Sequence, residues 1–152
     1  MRPLPATVLL YCVSVFAATS LIAAEPVNGW LRWRGPYQNG TGDETNLPSK
    51  ISPEAGGENF LWSVDVKGQS TPVLANGKLY VMAFEGEGPD LQEGLVCLDA
   101  ETGAVQWKHM YNDYMSDIIY LRYASSSPAI DPETGNVLMR SEERRVGKEC
   151  RL

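Results

Sequence analysis

The chain has 152 residues, enough for one ordinary domain, with 43% hydrophobic residues and a formal net charge of −6. Between residues 25 and 139 the balance steepens to seven Lys and Arg against sixteen Asp and Glu, a net −9. A surface of that sign repels phosphate backbones and argues against a nucleic-acid partner.

Residues 1–24 read as a signal peptide: one basic residue, Arg2, then an apolar run closing on small residues before Glu25-Pro26. Cleavage after Ala24 or after Ser20 fits. An uncleaved leader, near the ~20 apolar residues that span a bilayer, is the one route to a membrane. Cys12 is no lipid-attachment site, because Tyr11 stands where a small residue is needed. The expected location is therefore periplasmic or secreted.

Residues 25–59 are rich in Gly, Pro, Asn and Ser and predict an extended lead-in. Within it, Trp30-Leu31-Arg32-Trp33-Arg34-Gly35-Pro36 predicts a segment pinned to the body by indole and guanidinium stacking. An aromatic platform for a ligand is the functional alternative. Asn39-Gly40-Thr41 fits a glycosylation sequon and, in an exported bacterial-type chain, marks a turn.

From Phe60 the period changes to two. Phe60–Val66 predicts a strand with Phe60, Trp62, Val64 and Val66 on one face. Further strands are predicted at Ser70–Leu74, Lys78–Phe84, Gly94–Asp99 and Ala104–His109, with Asn76-Gly77 as a two-residue hairpin. The stretch Glu85 to Glu93 reads as an acidic loop, and a helical turn is conceivable only around Met115 to Tyr120. Asp99-Ala100-Glu101-Thr102-Gly103 predicts a tight turn in which Asp99 accepts backbone N–H groups and Gly103 takes φ > 0. Strand alternation then puts Val105 and Trp107 on one face.

The pattern repeats. Ser70-Thr71-Pro72-Val73 is echoed by Ser126-Ser127-Pro128-Ala129-Ile130, the prolines standing 56 residues apart. Asn76-Gly77-Lys78-Leu79-Tyr80-Val81 is echoed by Thr134-Gly135-Asn136-Val137-Leu138-Met139. Periods near 40 to 50 residues with four strands each describe an all-β fold, a β-propeller of four-stranded antiparallel blades. Residues 60–139 would make a partial propeller of about two blades, whose open faces are an aggregation liability. The run Arg140–Cys150 resembles the in-frame translation of a common sequencing adapter, so 140–152 reads as an artefact foreign to the domain, against the alternative of a solvated tail.

Asp99-x-x-Thr102-Gly103-x-x-x-Trp107 resembles the repeat of pyrroloquinoline-quinone-type (PQQ-type, quinoprotein-like) β-propellers. Trp30-x-x-Trp33-Arg34-Gly35-Pro36-x-x-x-Gly40 after a signal peptide resembles the start of exported bacterial members. The resemblance implies seven or eight four-stranded blades in a full-length protein, with tryptophans between blades. It does not imply quinone binding, and none of the family's quinone or calcium ligands maps onto this chain.

Few residues offer chemistry. His109 is the single histidine, without an identifiable partner for general-base work. Glu85, Glu87, Asp90 and Glu93 are oxygen donors for calcium, but their spacing fits a solvated acidic loop better. Cys97, between Val96 and Leu98, predicts a small buried hydrophobe and no disulfide within the mature part. Tyr111–Tyr123, with four tyrosines, two aspartates and Arg122, is a long link suited to a protein or small polar ligand, or to packing over a blade. The residues assign no catalytic, cofactor or metal site. The leading expectation is a non-enzymatic propeller scaffold outside the cytoplasm, such as one used in envelope assembly. The alternatives are a periplasmic quinoprotein-type alcohol or sugar dehydrogenase using PQQ and calcium, and a non-functional truncated product.

Overall fold

The structure, a computed structural model, describes residues 26–112, 123–140 and 149–150. Among the described residues eight strands carry the fold, and none of those residues is in an α-helix. A large antiparallel sheet runs β1 (Gly29–Trp30), β2 (Val73–Ala75), β3 (Lys78–Glu85), β4 (Gln92–Asp99) and β5 (Val105–Asn112), neighbours in that order. A small antiparallel sheet follows: β6 (Ala129–Ile130), β7 (Val137–Leu138) and β8 (Glu149–Cys150). Neither sheet is closed. Residues 1–24, read above as a signal peptide, and the conceivable turn at Met115–Tyr120 lie outside the described residues.

Four predicted strands are present within a few residues of their expected bounds. β2 starts late for a visible reason. The Ser70 Oγ accepts the Met82 N–H at 3.1 Å, where a ladder carbonyl would otherwise sit. Ser126, just before the small sheet, also ties to the facing backbone but in the opposite sense, its Oγ–H donating to the Arg140 carbonyl. The Ser-x-Pro echo is therefore structural, and Thr71 N–H donates to Ser127 Oγ between the two copies.

Both faces of the large sheet are covered. One carries Val73, Tyr80, Met82, Leu95 and Cys97, which pack with Ile130, Val137 and Met139 of the small sheet. The other carries Ala83, Val96 and Leu98 beneath Trp62 and Val66. Seven side chains of the first cluster larger than alanine expose 1% or less, so truncating Met82, Leu95 or Ile130 to Ala should cost about 2–5 kcal/mol. At Gly94 an added Cβ would sit 2.1 Å from the His109 carbonyl oxygen, which fixes the close approach of β4 to β5.

Three expectations are corrected. Phe60–Val66 is not a strand: Trp62 and Val66 seat on the sheet, Val64 stays exposed, and the backbone joins no ladder. Glu93 is not in a loop, since β4 starts at Gln92 and Glu93 is fully buried. Val105 and Trp107 face opposite ways. The register shifts between Cys97 and Leu98, so Cys97 pairs with Trp107 but Leu98 pairs with Val105, leaving Gln106 as a bulge. One extra residue reverses the alternation that follows it.

β8 falls in the stretch read as foreign, and its backbone pairs with β7 through Val137↔Cys150 and Leu138↔Glu149. A strand edge accepts any extended backbone, whatever its sequence.

Candidate functional site

The Asp99 turn is built as its residues dictate. Asp99 Oδ1 accepts from Glu101 N at 3.1 Å, Thr102 N at 2.9 Å and Thr102 Oγ1 at 2.8 Å. Those bonds, the Thr102 hydroxyl first, hold the carboxyl below the usual aspartate range. Gly103 has φ +72°, and an added Cβ there would lie 2.5 Å from the Trp62 ring. Trp62 also donates its Nε1–H to the Ala100 carbonyl at 3.0 Å. The aspartate is fully committed to its turn.

A second copy of this turn escaped sequence reasoning. Asp131 accepts from Glu133 N at 3.0 Å and from Thr134 Oγ1 at 2.7 Å, and Gly135 also has φ +72°. Both turns close with the same backbone bonds: Asp99 N to Ala104 O and Gly103 N to Asp99 O, Asp131 N to Asn136 O and Gly135 N to Asp131 O, all 2.9 Å. The signal was in plain view as Asp-x-Glu-Thr-Gly, written twice. It is masked in the repeat because the motif closes β4–β5 in one sheet and β6–β7 in the other, out of step with the prolines and the first hairpins.

The Trp30–Gly40 motif also resolves into structure. The chain turns tightly, Gly35 N–H reaching Arg32 O at 2.8 Å and Gly40 N–H reaching Arg34 O at 2.9 Å. The Trp30 ring lies where a Cβ on Gly35 would be, 2.6 Å from it. Trp33 is 60% exposed with the Arg34 guanidinium 5.5 Å from its ring centroid. Asn39 Oδ1 accepts from Thr41 N and Thr41 Oγ1, so the sequon residues form a turn.

Beside this turn lies a polar cleft of about 580 Å³. Its walls include Asn28, Arg32, Tyr37, Gln38, Asp43 and Glu44. Tyr37 donates to Asp43, and that bond raises its phenol above the usual range. The cleft supplies hydrogen bonds and charges of both signs, the chemistry of holding a small polar ligand.

The acidic candidates disperse. Glu85 pairs with Lys108 at the surface, Glu87 and Asp90 flank and form a single 3₁₀ turn, and Glu93 is buried. Among the described residues no group of three or more His, Cys, Asp or Glu is placed to hold a metal ion. His109 is exposed on β5 across from Leu95. Cys97 is buried, and desolvation raises its thiol pKa. Of the Tyr111–Tyr123 link only the ends are described: Tyr111 is half-buried, and Tyr123 packs at 5.5 Å on Phe84. Tyr114, Tyr120 and Arg122 lie outside the described residues.

Glu93 has a different task. Its Oε1 accepts the buried Ala124 N–H at 2.7 Å, and Ala124 holds φ +51°. A buried carboxyl oxygen thus fixes the chain just before the small sheet.

In comparisons with known proteins, no family model, curated protein or solved structure matches this chain.

Proposed function

We propose that this chain is part of an exported, non-enzymatic β-propeller with PQQ-like repeats, periplasmic or secreted, whose role is to bind a protein or a small polar ligand. The observation that carries the reading is the Ser-x-Pro echo: Ser70–Pro72 leads into β2 and Ser126–Pro128 into β6, Thr71 N–H donates to Ser127 Oγ between the copies, and the two successive antiparallel sheets pack face to face. An Asp-x-x-Thr-Gly turn recurs in both sheets with the same two backbone bonds, at a different hairpin in each. Repetition of one supersecondary unit that buries its faces only against neighbours is the logic of a blade array. The polar residues support a scaffold in a second way: Asp99, Asp131 and Glu93 are all spent on shape.

Two measurements test this. An alkaline-phosphatase reporter fused after Asn136 should be active, since that enzyme matures only outside the cytoplasm. Tryptophan fluorescence titrated with PQQ in the presence of calcium should show no saturable quenching, and dye-linked oxidation of primary alcohols and aldoses should stay at background. Saturable quenching together with dye reduction would replace the scaffold by the dehydrogenase reading. A silent reporter would overturn export.

A further inference from the structure

The residues before the Trp30 turn sit between the two sheets and bond to both. On one side β1 pairs with β2, Gly29↔Ala75 and Trp30↔Leu74. On the other, Val27 N–H donates to Pro132 O and Leu31 O accepts from Ile130 N–H, each at 2.9 Å. Val27 and Leu31 also pack into the cluster shared by the sheets. Position 29 has to be glycine for this, with φ +150° and no room for a Cβ, which would lie 2.2 Å from the Leu74 carbonyl oxygen. Downstream, the Trp30 ring is locked on Gly35.

We infer that residues 27–31 are a staple that couples the two sheets and can be unseated without dismantling the large one. β3 and β4 pair over eight residues and are covered on both faces. β6 and β7 share only two residue pairs, β8 adds two more on the far edge of β7, and the staple supplies the hydrogen-bond partner on the other edge of β6. Ladders of two pairs are too short to hold without such outside support. The preceding chain is held separately, by Glu93 on Ala124 N–H and by Ala124 O on Gln69 N–H. Unseating the staple should therefore open β6–β7 and leave Ala124 latched.

Amide hydrogen exchange on the full chain reads this directly. Gly29→Ala forces β1 off β2; Val27→Pro removes the N–H given to Pro132 and the packing of the Val27 side chain but leaves β1 paired with β2. In Gly29→Ala the Asp131 and Gly135 amides, neither bonded to the staple, should exchange at least tenfold faster. In Val27→Pro the same amides should speed up less, by about threefold. The Ala124 and Val96 amides should stay within threefold of the parent in both. Unchanged Asp131 and Gly135 exchange would overturn the inference, since the staple would then be a local decoration. Equal acceleration everywhere, including Val96, would overturn it too, because the segment would then hold the whole fold rather than the joint.

Discussion

The Asp99 and Asp131 turns share a hydrogen-bond plan and differ in everything around it. The first joins two eight-residue strands and is roofed by Trp62, which bonds Ala100 O and leaves no space at Gly103. The second joins two-residue strands, and its Pro132 carbonyl is bonded by the N-terminal segment. Local sequence is sufficient for the turn itself, because Asp, Thr and Gly satisfy one another within five residues. How far the ladder extends on either side is decided by what covers the strands. Propensity ends where packing begins.

The sharpest way to break the comparison is Gly103→Ala. The positive φ alone costs about 1–2 kcal/mol, and the Trp62 ring adds a clash, so urea unfolding should show a loss above 2 kcal/mol. Pairing it with Trp62→Ala should recover part of that loss, since the ring is what the methyl meets. Recovery of nothing would mean that backbone strain is the whole cost.

Next in size is Glu93→Leu, which leaves the buried Ala124 N–H without its carboxylate. It should cost about 1–3 kcal/mol by the same unfolding measurement. A stabilised variant would show that desolvating the carboxylate costs more than its hydrogen bonds return.

Smaller effects test whether the two turns are energetically alike. Trp62→Phe keeps an aromatic ring but loses the Ala100 bond and part of the indole's packing, the bond alone being worth about 0.5–1.5 kcal/mol, and should raise exchange at Thr102 but not at Gly135. Thr102→Val and Thr134→Val should each cost about 0.5–1 kcal/mol, and unequal losses would show that the surroundings reach into the turn.

The least effect is in acid. Both carboxyls are depressed, Asp99 chiefly by the Thr102 hydroxyl and Asp131 chiefly by the Glu133 N–H. A depressed folded pKa gives stability that is present above the unfolded value and lost as pH falls through the folded one. Stability from both turns should therefore be complete at neutral pH and decline below about pH 4. Carboxyl NMR titration of Thr102→Val should move Asp99 back toward the ordinary value and leave Asp131 in place.

Much of this was legible in the residues. The Asp99 turn, the Asn76-Gly77 hairpin, the four central strands and the burial of Cys97 follow from short-range chemistry and period-two alternation. What was not legible depended on distant partners. Alternation at Phe60–Val66 gives the face that seats, but a strand also needs a ladder, and no residue pattern supplies one. Glu93 was read with its acidic neighbours because composition cannot show that an amide 31 residues on will reach it. The Gln106 bulge reversed Val105 for the same reason: register belongs to the pair of strands.

Cys97 carries one more consequence. It is fully buried in the cluster between the two sheets, and burial keeps its thiol protonated and unreactive. An alkylating reagent reaches that sulfur only when the interface parts, so the rate at which the Cys97 peptide gains mass is a clock on that opening. The molecule thus carries its own timer for the separation of its halves, read without any introduced label.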